Sequence, residues 1–356
     1  MSDPFRLQLL KQIGSADELS VLRSLRDQVQ ERMVALLPER GVEQFYVEMN
    51  EVHDAFIKRV IVLAEADMAR RGKGSPPVPY AYLLFGSGGR EEQTLSSDQD
   101  SGIVYEDPRN DEDAVRCRDY FNDLALWIVE SLQKIGYPPC DGNVLSSNAD
   151  WRLSLSEWKE RLNGWFEEPA WESVRYLLIV ADGRCLYGKQ ELVKGLKDHF
   201  YSDYINTPVI VKRMLDNTLR HKVLLGVFGH LLKEQYGEDA GSLDIKYGAY
   251  IPMVNSIRLL AIQANLKMTS TLERIKGLHA EAQLSDEEAE ELSEAFRLFL
   301  KLRLMTTEKT ENGLYSNNGK LSGRKLTKEL ADELKSGLKL GKKLQRRVYR
   351  QTVSRL

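Results

Sequence analysis

Cysteine is scarce: Cys117, Cys140 and Cys185 are the only three in 356 residues, odd in number and far apart. They form neither a C-x-x-C pair nor a disulfide framework, so a reducing cytoplasm is the expected compartment. The five histidines, His53, His199, His221, His230 and His279, fall into no H-E-x-x-H or other close zinc spacing. No apolar run approaches the roughly 20 residues that span a bilayer; Leu177–Ala181 is typical of the longest. The start, Met1-Ser2-Asp3-Pro4, lacks the basic residues and apolar core of a secretory signal, so neither export nor a membrane role is expected. Charge of one sign is also missing. Fifty Lys and Arg against 53 Asp and Glu leave −3, which argues against a nucleic-acid coat protein but permits a local basic patch. There is no internal repeat and no low-complexity tract.

What is present is the balance of a globular protein, 42% apolar and 29% charged, long enough for two domains and a smaller third element. Residues 5–72 read as helical. Leu19, Leu22 and Leu25, then Val34 and Leu37, recur at helical spacing, and Val52, Phe56, Val60, Leu63 and Ala64 stripe a second helix from about Val47 to Arg71. The Gly- and Pro-rich stretch Arg70–Pro79 breaks regular structure. Beyond it the pattern becomes α/β to about residue 200. Tyr80–Phe85, Ser101–Tyr105 and Val174–Val180 read as buried strands, and Arg116–Ile135 as an amphipathic helix stopped by Gly136. Helices return after about 207. Ser285-x-x-Glu288 is a capping box, and the last helix repeats leucine at Leu326, Leu330, Leu334 and Leu338. The expected organisation is a helical region 1–75, a core 76–206 and a helical domain 207–356.

One segment carries chemistry. Phe85-Gly86-Ser87-Gly88-Gly89-Arg90 ends a strand and opens a short helix, and Asp98-Gln99-Asp100 begins the next strand. Gly86 allows close backbone approach to a ligand, and Ser87 offers a hydroxyl and an amide at a helix start, an anion site suited to nucleotide phosphates. Residues i and i+2 of a strand share a face, so Asp98 and Asp100 project together and can hold Mg²⁺ beside those phosphates. A Walker A loop is excluded because no Lys follows at the required offset. The dinucleotide G-x-G-x-x-G is excluded because Glu91 stands where its third glycine belongs.

Residues 86–100 match every fixed position of G-S-x-G-R-x-E-Q-T-x-x-x-D-Q-D. In this the chain resembles the nucleotidyltransferase core of the DNA polymerase β superfamily. It is most similar to the bacterial nucleotidyltransferases often fused to CBS domains, whose core is grouped with the N-terminal part of PII-uridylyltransferase. Cys140-x-Gly142, Asn148-x-x-Trp151-Arg152 and Asp182-x-Arg184 resemble the segments after that core. Asp244-Ile245-Lys246, Arg258–Ala261, Thr271-x-x-Arg274 and Glu294-Ala295-Phe296 resemble the family's helical substrate-binding domain. The chain departs at Ser101, where Asn is usual, at Asp141 and Asn143, and at Lys189, and it carries no CBS domain.

The resemblance implies an α+β fold: a polymerase β-like core with a mixed sheet, flanked by N-terminal helices and a C-terminal helical bundle. It implies a Mg²⁺- or Mn²⁺-dependent enzyme that moves an NMP group from a nucleoside triphosphate to a hydroxyl on a protein or small molecule. Gly86, Ser87, Gly89 and Arg90 would bind the nucleotide, and Asp98 and Asp100 the metal. Such sites usually add a third carboxylate. Asp182 is the first candidate and Asp141 the second, and either reads equally well as a turn aspartate. Arg90 can reach a phosphate or pair with Glu91 or Glu92. Lys246 and Arg258 are candidate acceptor contacts. Trp151, Trp158, Trp165 and Trp171 read as packing rather than base stacking. From Lys320 to Leu356 there are 12 basic and 3 acidic residues, +9 against −12 for the remainder. A solvated helix face is the favoured reading of that tail, and nucleic acid is not an expected partner. A nucleotide-sensing module that binds without turnover is the competing functional reading.

Overall fold

The structure, a computed structural model, describes residues 4–36, 41–201, 207–226, 228–237, 239–309 and 315–354. Three helices come first: α1 (Pro4–Ser15), α2 (Leu19–Leu36) and α3 (Val42–Arg70). α3 buries Val52, Phe56, Val60 and Ala64, and α2 buries Leu22 and Leu25, as the stripes predict. Leu37 and the Val34 side chain lie outside the described residues. Next come β1 (Tyr80–Leu84), a short helix α4 (Gly86–Gly89), β2 (Ser101–Tyr105) and α5 (Asp111–Lys134). α5 begins before the expected Arg116 because Asn110 caps it, its side chain accepting from the Asp113 N–H at 2.8 Å. Asp111, Glu112 and Asp113 then favour the positive end of the helix dipole.

β3 (Arg152–Ser154) leads into α6 (Leu155–Glu167), followed by α7 (Trp171–Ala181), β4 (Arg184–Gly188) and α8 (Gln190–Phe200). Val174–Val180 is therefore not a strand but the body of α7. A short apolar run leaves strand and buried helix undecided, and here Val174, Leu177, Leu178 and Ala181 are the buried positions at helical spacing. The remaining elements are α9 (Pro208–Thr218), β5 (Leu243–Asp244), a π-helical turn Lys246–Tyr250 running into α10 (Ile251–Gln263), α11 (Thr271–Ala280), α12 (Asp286–Met305), β6 (Thr307–Lys309), β7 (Tyr315–Asn317), β8 (Lys320–Leu321) and α13 (Lys328–Val353). Among the described residues no helix is long and apolar enough to cross a membrane.

Two compact units result. The first holds residues up to Leu162 together with Gly183–His199, and the second holds Asn163–Asp182 and the chain from Phe200. The N-terminal helices thus group with the sheet in the first unit. The sheet of the first unit is mixed, in the order β3-β2-β1-β4. β1 pairs antiparallel with β2, from Tyr80 opposite Tyr105 to Leu84 opposite Ser101, and antiparallel with β4, whereas β2 and β3 run parallel. Every residue of β1 and β2 is buried. In the second unit α10 is buried from Pro252 to Ile262, the pattern of a central helix, with α9, α11 and α13 packed on it. Its strands form two small two-stranded ladders, β5 with β8 and β6 with β7, which the periodicity does not reveal. The Ser285–Glu288 capping box opens α12 as predicted.

α3 is tied to the loop after α4 by His53. Its Nε2 lies 3.0 Å from the Thr94 carbonyl, which can only accept, so Nε2 carries the proton and Nδ1 accepts from the Tyr137 hydroxyl at 2.7 Å. Burial, with the Arg26 charge nearby, lowers this imidazole from 6.5 to about 3. Between those values the unfolded chain binds a proton that the native chain refuses, so stability falls with pH by about 1.4 kcal/mol per unit. Urea unfolding should therefore show a loss of about 2 kcal/mol between pH 6.5 and about pH 5. His53→Gln should lack that share of the slope; an unchanged slope would show that His53 is not the titrating group.

Candidate functional site

The site is built where β1 gives way to α4. The first helical bond of α4 is Gly89 N–H to the Phe85 carbonyl, at 2.7 Å. The N–H groups of Gly86, Ser87 and Gly88 therefore have no intrahelical acceptor. Gly86 has φ +52°, a left-handed conformation that a side chain disfavours. A Cβ placed there would fall on the Asp100 carboxylate, with Asp100 Cγ at 3.0 Å. Glycine is thus required twice, by the turn and by the carboxylate lying against it. The Phe85 N–H donates to the Asp100 carbonyl at 2.9 Å, locking the end of β1 to the approach of β2.

Asp98 and Asp100 flank Gln99, which is buried. The Gln99 amide donates to the carbonyls of Val129 at 3.0 Å and Tyr137 at 2.7 Å, and its backbone N–H donates to the Pro138 carbonyl at 2.8 Å. With Gln99 anchored inward, the extended backbone turns Asp98 and Asp100 to the opposite face, Asp98 exposed and Asp100 half-buried. The structure sets Asp100 against Gly86, and Asp98, Asp100 and Gly88 line one small cavity.

Other expectations are corrected. The Gly89 amide is spent inside α4, so it does not join the free amides. Arg90 is buried with its Nε 2.8 Å from Glu92 Oε2, the ion-pair alternative rather than the phosphate one. Asp182 belongs to the second unit, capping α7, and is 1% exposed. Its Oδ2 accepts from Arg258 and its Oδ1 from Arg274, each at 2.7 Å. Both oxygens serve guanidinium groups, the arrangement of a buried structural ion pair. The other arm of Arg258 donates to Asn255 at 2.7 Å. Lys246 opens the π-helical turn, half-buried, with its ammonium 5.2 Å from the Tyr247 ring. Asp141 is exposed. Among the described residues no group of three or more His, Cys, Asp and Glu side chains is placed to hold a metal ion.

Two contributors escaped the sequence reading. Cys140 lies beside the carboxylates. Burial and the Asp100 charge push its thiol up to about 12, so it stays protonated; the thiol donates to the Val144 carbonyl at 3.7 Å and its sulfur accepts from the Val144 N–H at 3.2 Å. Arg184 donates through Nε to the Gly88 carbonyl at 2.8 Å and forms a bidentate pair with Asp54 of α3 at 2.9 and 2.6 Å. That clamp fixes α4 against α3. The Cys140-x-Gly142 and Asp182-x-Arg184 segments are visible in sequence, but their partners lie in distant helices and loops.

The family model described as Putative nucleotidyltransferase DUF294 matches residues 20–172. A second, described as Putative nucleotidyltransferase substrate binding domain, matches residues 208–352. The chain belongs to this nucleotidyltransferase family. No curated protein matches it. In this family member three of the tryptophans at 151, 158, 165 and 171 pack as expected. Trp151 and Trp158 stand edge-to-face at 5.8 Å, with Trp158 Nε1 donating to the Ile103 carbonyl at 3.0 Å. Trp165 packs on Tyr176 at 5.2 Å. Trp171 is exposed, with Arg220 5.2 Å above its ring.

Proposed function

We propose that the first unit catalyses transfer of an NMP group from a nucleoside triphosphate to an acceptor hydroxyl. The acceptor oxygen forms a bond to the α-phosphorus, the bond to the pyrophosphate oxygen breaks, and the hydroxyl proton leaves to solvent. The observation that carries the reading is Asp100 lying against Gly86 at the mouth of α4, with Asp98 beside it on the cavity that Gly88 also lines. The N–H groups of Gly86, Ser87 and Gly88 supply neutral donors for phosphate oxygens, where a carboxylate alone would repel them.

Asp98 and Asp100 fit Mg²⁺ or Mn²⁺, because Mg²⁺ is commonly held by one or two carboxylates with the substrate phosphates and waters completing its shell. When bound there, the ion would neutralise the triphosphate and polarise the α-phosphoryl group. Gln99 keeps both carboxylates aimed outward, the Cys140 thiol lies neutral beside Asp100, and Arg184 keeps α4 in register. None of these is a proton acceptor for the hydroxyl. Chemistry of this kind relies on charge neutralisation and positioning more than on a side-chain base. Acceptor recognition falls to the second unit, with Lys246 its candidate cation, and the acceptor is a hydroxyl on a protein, as in PII uridylylation, or on a small molecule.

The lack of a three-carboxylate cluster among the described residues favours a second reading, a nucleotide sensor without turnover. Incubation with ATP, UTP, CTP or GTP labelled at the α-phosphate, with Mg²⁺ or Mn²⁺ and cell lysate, separates the two. Label on an acceptor with matching pyrophosphate release is the expected result. Tight nucleotide binding with no pyrophosphate from any fraction would give the site to the sensor.

A further inference from the structure

The second unit contains a groove that the transfer reading does not use. It lies between α12 and α13, with a volume of about 370 Å³, in the range of small-ligand sites. Leu292, Leu340 and Leu344 make its floor, and Lys343, Arg347 and Arg350 stand around it with a single carboxylate, Glu288. Lys343, Arg347 and Arg350 follow one another at i, i+4 and i+7, which puts them on one face of α13. From Lys335 to the end of that helix there is no acidic residue at all.

We propose that this groove binds a small organic phosphate of nucleotide size, its flat apolar body on the leucine floor and its phosphate among the three cations. Arg347 is already held in place: Nη1 meets Glu288 Oε1 at 2.7 Å and Nη2 donates to the Gln283 carbonyl. Both of its Nη groups are engaged, so Arg347 supplies a fixed charge at the groove wall and the direct phosphate contacts fall to Lys343 and Arg350. Lys343 and Arg350 are exposed and have no ion-pair partner among the described residues. Three cations facing one carboxylate leave +2 over an apolar surface, a repulsion that a dianion relieves.

Two simpler explanations account for less. The negative end of the helix dipole acts only within the last turn, and Lys343 lies well before the end of α13 at Val353. A merely solvated face needs neither a concavity nor buried leucines beneath it, yet Leu292 and Leu344 are each 3% exposed. The ligand chemistry is therefore mixed: an anionic head of charge about −2 and an apolar body, rather than either one alone.

The test is calorimetry on the full chain in EDTA, where the metal-dependent site proposed around Asp98 and Asp100 is silent. AMP, ADP and UMP are titrated beside inorganic phosphate and adenosine. The nucleotides should bind with Kd of about 1 mM or tighter, and phosphate and adenosine each at least about tenfold more weakly. The double variant Lys343→Ala with Arg350→Ala should lose at least about tenfold in nucleotide affinity, whereas Asp98→Asn with Asp100→Asn should bind as wild type does. Failure of any nucleotide to bind, or binding that survives loss of both cations, would overturn the proposal. So would binding of heparin or an RNA oligonucleotide without the mononucleotides, which would make the face a polyanion surface. Since the readout is metal-free binding, failure here leaves the transfer reading standing, and failure of transfer leaves this site standing.

Discussion

Asp98→Asn and Asp100→Asn should each lower pyrophosphate release by about 10³-fold or more, corresponding to about 4 kcal/mol of lost transition-state stabilisation. Each change removes one negative charge and one hard oxygen ligand while keeping the shape of the side chain. Asp98 is exposed and Asp100 half-buried, so neither is a keystone of the fold, and urea midpoints should move little. The two positions differ in surroundings. Asp100 lies against the Gly86 backbone, with the Cys140 thiol nearby, whereas Asp98 faces solvent. Asp100→Asn should therefore lose Mn²⁺ affinity, read by electron paramagnetic resonance, and also shift how α4 sits. Asp98→Asn should lose Mn²⁺ affinity alone. Transfer at the wild-type rate in both variants would remove these carboxylates from the chemistry.

The centre of that candidate site is legible in sequence because Gly86, Ser87, Asp98 and Asp100 are local to one another. Gly86 and Ser87 stand at the end of a strand, Asp98 and Asp100 flank a residue that must point inward, and only fifteen residues cover the set. Period-two geometry then dictates that both carboxylates share a face. The two central strands of the sheet and the helical second unit follow from equally local patterns of apolar spacing. What remained hidden depends on distant partners. Asp182 reads as a turn aspartate or a metal ligand until Arg274, 92 residues away, and Arg258, 76 residues away, are seen to hold it. Arg184 and Asp54, 130 residues apart, are invisible as a pair for the same reason. Val174–Val180 misleads differently. Its apolar run suits a strand, and only the burial of every third or fourth residue shows the helix.

The largest loss of stability should come from Asp182. It is 1% exposed between two guanidinium groups, Arg274 fully buried and Arg258 nearly so. Arg274 is fixed further by the carbonyls of Met268 at 2.9 Å and Ala181 at 3.0 Å, so it cannot swing to water when its carboxylate is removed. Asp182→Asn leaves two cations facing a neutral amide in a dry site, and removing one partner of a buried pair typically costs about 3–5 kcal/mol. Arg258→Met should cost less, because Asp182 keeps Arg274 and the thioether chain can pack where the aliphatic stem lay. The ordering of the two variants is diagnostic. A carboxylate that served as a metal ligand would behave in the opposite way: its replacement would lower Mn²⁺ affinity and transfer while leaving the urea midpoint near wild type. Denaturation and Mn²⁺ titration of Asp182→Asn on the same sample therefore decide its role, and a normal midpoint with lost metal affinity would return Asp182 to the active site.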